Sequence, residues 1–210
     1  MSPVSHGTSE SRGEDRRLLR FEPHLPHAYE TIWPALTTPD GLRGWLAEAD
    51  VLERHLGGAV TLRGPGGGPA LSGQVTAWDV ERVVEYTLSG LGRIRFHLEP
   101  VGTDSTVIRF SHEYTPDRPG PGLDRPGPGL DRPGPGLDRP GAGLAGPGPG
   151  PAGPGSAGGR AVDADHLAGW HRSFELLESA LEGHPAAPSA RTDPRLDALR
   201  ASYTPPAAAA

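Results

Sequence analysis

The apolar positions of this chain keep one period through its middle and another near its end, and the change marks where strands give way to helix. From Asp165 to Gly183, Leu167, Trp170, Phe174, Leu177 and Leu181 recur at steps of three and four, so they share one helical face. Glu175, Glu178 and Glu182 fall elsewhere on the wheel. Asp163 or Asp165 is placed to cap the start, and Gly183 with Pro185 beyond it stops the helix. Such a helix is about 27 Å long at roughly 1.5 Å per residue. Burying its large apolar side chains stabilises by roughly 7–15 kcal/mol as an upper estimate, so upstream residues must cover that face.

Between Asp50 and Tyr114 the period is two. Val60 and Leu62 alternate with Thr61 and Arg63, and Gly64–Pro69 is a turn. Gly73–Trp78 and Val83–Leu88 read as strands joined through Asp79–Arg82. In Gly92–Glu99, Ile94, Phe96 and Leu98 oppose Arg93, Arg95, His97 and Glu99, the cleanest half-buried strand in the chain. Ser105–Tyr114 sets Ile108 and Phe110 against Arg109, Ser111 and Glu113. These strands make an antiparallel meander. Ahead of them, Arg16–Leu25 is a first strand, and Ala28, Ile32, Trp33 and Leu36 form a short helix interrupted by Pro34. Thr38 as N-cap and Pro39 at the first position open a second short helix through Trp45. After the long helix comes a linker, then a helix capped by Asp193-Pro194 with Leu196, Leu199 and Tyr203 as its apolar face, then an alanine tail over 184–210. Residues 1–15 are polar and read as a disordered lead.

Composition changes this picture in one place. Gly and Pro number 31 and 25 of 210 residues, and they concentrate in 116–160. D-R-P-G-P-G-L occurs three times from Asp117, followed by D-R-P-G-A-G-L. Leu123, Leu130, Leu137 and Leu144 are seven apart, but several Gly and Pro per heptad forbid a zipper helix. The glycines alternate at spacings of two and five, which excludes collagen. The segment is expected to be an extended, disordered insertion. The formal net charge of −6 argues against nucleic acid or an anionic membrane as partner. With no cysteine there is neither a disulfide nor thiol chemistry. The first residues have no apolar run of a signal peptide, and no stretch reaches the length of a membrane span, so a soluble cytoplasmic protein is expected. A lysine-free chain rich in Ala, Gly, Pro and Arg fits a GC-rich bacterial genome.

Strand parity nominates the polar groups that face inward. His112 and Tyr114 share a face with Ile108 and Phe110, and Tyr86 shares one with Val84 and Leu88. Each orients an apolar ligand or is a satisfied core group. Trp33, Trp45 and Trp170 read first as packing, and Trp78, next to a turn, as exposed. Neither His24 with His27 nor His166 with His171 has helical ligand spacing, so no metal is expected. Ser111-His112-Glu113 point to alternate faces and form no triad. No G-x-S-x-G is present, and the Gly-rich G-P-G-G-G-P lacks the lysine of a phosphate loop. No catalytic residues and no cofactor are expected. Arg93, Arg95 and Arg109 become a basic patch only if their strands pair in register; Glu99 and Glu113 beside them read as an ordinary solvated surface.

The stretch I-W-P-A-L-T-T-P-D-G-L-R-G-W-L at Ile32–Leu46, Gly57-Gly58, G-Q-V-T-A-W-D-V-E-R-V-V-E-Y-T-L at Gly73–Leu88 and Gly169-Trp170-His171 resemble the bacterial branch of the Hsp90-ATPase-activator-like (AHSA1-like) family of the START-like, or SRPBCC, superfamily. The resemblance covers roughly 16–115 and 163–183, within a domain of 16–183 interrupted by the 116–160 insertion. It implies an α+β helix-grip fold (START/Bet v 1-like), a curved antiparallel sheet around the long C-terminal helix with a cavity between them. Tyr86, Phe96, Ile108, Phe110, His112, Trp170 and Phe174 are the candidate lining. The implied function is binding of a hydrophobic small molecule. Its rivals are a chaperone-linked accessory role through a protein partner, and a cyclase/dehydratase-type enzyme using His112 or Tyr86 as acid or base. The eukaryotic Hsp90 activator carries an additional N-terminal domain that these residues do not match, which weighs against a co-chaperone role.

Overall fold

A computed structural model describes residues 4–13, 15–64, 68–116, 157–185 and 193–204. The repeat segment, the Gly-rich turn centre at 65–67, the 186–192 linker and the alanine tail lie outside the described residues. In chain order the elements are β1 (Thr8–Ser11), β2 (Arg17–Phe21), β3 (His24–Leu25), α1 (Tyr29–Thr37), α2 (Pro39–Arg43), β4 (Glu48–Leu52), β5 (Ala59–Arg63), β6 (Ala70–Asp79), β7 (Val83–Leu88), β8 (Gly92–Pro100), β9 (Thr106–Tyr114), α3 (Ala157–Leu181) and α4 (Pro194–Tyr203).

The strands form one antiparallel sheet in the order β1-β2-β9-β8-β7-β6-β5-β4, with β3 also paired to β9. From β4 to β9 it is a meander, each strand beside the next in sequence. β2 then returns to β9, placing Leu19 opposite His112 and Phe21 opposite Phe110. Register shifts at Ala49/Val51 and Val75/Ala77 bend the strands that carry them. The inner face presents Leu19, Phe21, Val84, Tyr86, Ile94, Phe96, Leu98, Ile108 and Phe110, each almost fully buried. Leu167, Trp170, Phe174 and Leu177 of α3 and Ile32, Trp33 and Leu36 of α1 close over them as one cluster. Leu181, on the same stripe, stays at the rim. This is the helix-grip arrangement that the resemblance implies, and the two periodicities agree with it: a one-sided sheet and a one-sided helix each remove the other's apolar face from water.

Local chemistry places the short helices as expected. Thr38 Oγ1 accepts from Gly41 N at 3.0 Å with Pro39 at the first position, and Trp45 Nε1 donates to the Ala35 carbonyl at 3.0 Å. Pro34 lies inside α1 without ending it. Asp193 caps α4 by accepting from the Arg195 and Leu196 amides.

Other expectations are corrected. The 1–15 lead is not wholly without structure: β1 adds to the edge of β2, and Val4 is buried in the core. Trp78 is not exposed; its ring packs edge-on against Trp33 of α1 at 5.2 Å between centroids, which half-buries it. The long helix begins at Ala157, eight residues before Asp165. With helix already formed upstream of it, Asp163 lies inside rather than at the cap, and its carboxylate accepts from Ser9 of β1 and Tyr114 of β9. The C-terminal stop stands: Gly183 adopts φ 86°, His184 N donates to Ser179 O at 2.8 Å and Gly183 N to Ala180 O at 3.0 Å, a Schellman ending.

Candidate functional site

β9 and the first half of α3 bring the candidate residues together. Pairing sets His112 between Leu19 of β2 and Ile94 of β8 on the inner face, with no exposure to solvent. Its Nε2 donates to the Leu91 carbonyl at 2.9 Å, and its Nδ1 accepts from Trp170 Nε1 at 2.9 Å. Leu91 reaches that position because the turn before β8 passes through Gly90 at φ 80° and Gly92 at φ 99°. A Cβ on Gly92 would meet the Glu113 carbonyl at 2.2 Å, so only glycine permits this approach. Burial holds the His112 pKa down to about 4, with the Leu91 bond opposing the shift. The ring is therefore neutral at pH 7 with both nitrogens engaged, and no lone pair remains to act as a base.

Around it lies a polar cluster. Tyr114 donates to Asp163 Oδ1 at 2.7 Å, and Ser9 Oγ donates to Asp163 Oδ2 at 3.0 Å, with Arg17 Nε at 3.7 Å. The Tyr114 ring stacks on His166 at 4.2 Å and on His112 at 4.9 Å. Burial first, then the Asp163 carboxylate, push the Tyr114 pKa well above that of a free phenol. His166 Nδ1 donates to the Val162 carbonyl at 2.9 Å. Asp163 and His166 are the members that sequence reasoning missed. Asp163, His166 and Trp170 stand at i, i+3 and i+7 on one helical face, and that spacing was the available signal.

The other candidates are all buried, but against one another. Phe110 lies 4.4 Å from Trp170, 5.1 Å from Phe96 and 5.2 Å from Phe174 between ring centroids. Phe21 and Trp45 extend the layer to Phe174 at 5.5 and 6.4 Å. Aromatic rings thus occupy the space between sheet and α3 where the cavity was expected. Ile108 is fully buried in the same core. Tyr86 stands apart from the His112 cluster: its hydroxyl donates to the Leu36 carbonyl at 3.0 Å, tying β7 to the end of α1, and burial raises its pKa. Two open hollows lie elsewhere. One of about 720 Å³ is bordered by Arg16, Gln74, Thr87, Gly92, Arg93 and Glu113, and one of about 170 Å³ sits over Ser111. Among the described residues no three His, Asp or Glu side chains converge as metal ligands do, and no helix is long and apolar enough to cross a membrane.

A curved antiparallel sheet gripped by a long C-terminal helix over an aromatic interior defines a helix-grip fold of the START/SRPBCC type. Residues 26–122 match the family model described as Activator of Hsp90 ATPase homolog 1-like protein. Residues 26–122 are thus similar to an AHSA1-like domain, and α3 lies beyond the matched residues. Solved structures agree on the fold. A conserved protein of unknown function from Enterococcus faecalis is similar over 94% of this chain and 87% of its own, at 18% identity and a TM-score of 0.58. CalU16 from Micromonospora echinospora is similar over 96% and 92% at 13% identity and 0.58. A Mesorhizobium loti protein is similar over 81% and 100% at 20% identity and 0.52. No curated protein matches the sequence.

Proposed function

We propose that this AHSA1-like domain is a non-catalytic binder of a hydrophobic small molecule, received between the sheet and the C-terminal half of α3. The observation that carries the reading is the asymmetry of α3. Its first half is pinned to the sheet by polar bonds, Asp163 to Tyr114 and Ser9, and Trp170 to His112. From Phe174 onward its inward side chains, Phe174 and Leu177, join the apolar core, whose contacts carry no directional preference. In that second half Glu178 is 2% exposed, with its Oε1 buried and without a hydrogen-bond partner. An apolar molecule with one donor group would replace ring–ring contacts with its own and satisfy that oxygen.

The engaged states of His112 and Tyr86 weigh against the cyclase/dehydratase alternative, since neither offers a free proton donor or acceptor. The matched family keeps a protein-partner role as the second reading, for which the polar outer face of the sheet is the available surface. Native mass spectrometry of the protein purified from its host separates these. A bound lipophilic mass, lost together with a change in tryptophan fluorescence on extraction, is the expected result. A ligand-free protein whose fluorescence is unmoved by a panel of lipophilic compounds, but which retains a protein partner, would sink the binder.

A further inference from the structure

The outer face of the sheet carries a feature that neither the interior nor the family match explains. Pairing places Ser111 of β9 opposite Arg20 of β2 on one side and Arg95 of β8 on the other. Two residues back along β9, on the same face, Arg109 stands opposite His97. The hollow of about 170 Å³ over Ser111 is lined by Arg20, Arg95, Arg109 and His97, with Glu22 its one carboxylate. Three guanidiniums thus gather over one serine on a chain whose formal charge is −6.

The carboxylates that hold the arginines stand mostly outside the hollow. Glu10 pairs with Arg20 at 3.8 Å, Glu85 with Arg95 at 3.1 Å and Glu99 with Arg109 at 2.6 Å, while Glu22 is 3.4 Å from Arg109. Each guanidinium has five N–H donors, so a single carboxylate leaves several unspent. The arginine side chains are 44–55% exposed, where such pairs are weak and re-aim at little cost. Arginine forks suit oxyanions through paired hydrogen bonds. A flat carboxylate engages one or two forks, whereas a tetrahedral anion offers oxygens to three guanidiniums and a serine hydroxyl together.

We propose that the hollow ringed by Arg20, Arg95 and Arg109 over Ser111 binds a phosphate-type oxyanion, either free phosphate or the phosphate of a small ester. The test is calorimetric titration of the full chain with inorganic phosphate and with glycerol 3-phosphate, ionic strength held constant with chloride. Saturable binding in the millimolar range is expected, and the tighter of the two probes identifies the source. Arg20→Gln and Arg95→Gln each weaken binding about tenfold, consistent with loss of a charge-assisted pair. Glu22→Gln tightens it by a few-fold, a gain that mere loss of structure cannot produce. A non-saturating response shared by the wild type and the Arg20→Gln/Arg95→Gln double variant would overturn the proposal. So would a Glu22→Gln variant that binds no better.

Discussion

Trp170 Nε1 donates to His112 Nδ1 at 2.9 Å, a buried bond between α3 and β9 that spans 58 positions of sequence. It fixes the indole against Phe110 and the imidazole against the Leu91 carbonyl, so one pair sets both the helix position and the tautomer. Replacing Trp170 by Phe keeps a ring in the apolar layer but leaves Nδ1 buried and unpaired. The expected loss is about 1–3 kcal/mol beyond the packing change. Urea unfolding of Trp170→Phe, His112→Leu and the double variant measures it. A coupling energy near zero would show that the bond contributes nothing.

The same burial makes stability depend on pH. His112 titrates near 6.5 in the unfolded chain and at about 4 in the folded one, so the folded state binds fewer protons between those values. Its contribution is complete above about pH 6.5 and is lost as pH falls toward 4. The loss amounts to about 3 kcal/mol at its largest. His171, lowered chiefly by burial, adds in the same direction. Thermal melts from pH 7.5 to 4 are expected to fall more steeply for the wild type than for His112→Asn.

The chain's ends are clipped across α3 by Tyr203. Its hydroxyl accepts from the Gly7 amide at 2.9 Å and donates to His171 Nδ1 at 2.8 Å, while Arg195 grips Glu175 and Arg172 grips Asp193. Tyr203→Phe removes both bonds at once and is expected to cost about 1–2 kcal/mol. Limited proteolysis should then cut within residues 4–13 well before the sheet opens; equal resistance in wild type and variant would contradict this.

The insertion at 116–160 is expected from composition to contribute no packed core; its last four residues, 157–160, instead begin α3, so the test concerns 117–156. Replacing those residues with a short Gly/Ser linker should leave the melting temperature unchanged within a few degrees. A large drop would mean that the repeat packs against the domain.

Much of the fold was legible because periodicity encodes which face of an element is apolar. Period two in β8 and β9 sent Phe96, Ile108, Phe110 and His112 inward, and steps of three and four in α3 sent Trp170 and Phe174 to meet them. The filled interior was not legible. Alternation says that rings point inward, but whether they leave a cavity depends on how far α3 stands from the sheet and which rotamers interlock. The roles of Asp163 and His166 were hidden for a related reason: an acid near a helix start reads as a cap until Tyr114 and Ser9 are seen on either side of its carboxylate.

The sequence by itself determined the one-sided sheet, the one-sided helix, the caps at Thr38, Asp193 and Gly183, and the family resemblance, because each depends on residues within a few positions of one another. The tertiary structure alone decided that Leu91 and Trp170 occupy both nitrogens of His112, that Tyr86 answers to Leu36, and that Arg20, Arg95 and Arg109 gather around Ser111. Those outcomes depend on strand register and on contacts between residues far apart in the chain, and no local pattern carries that information.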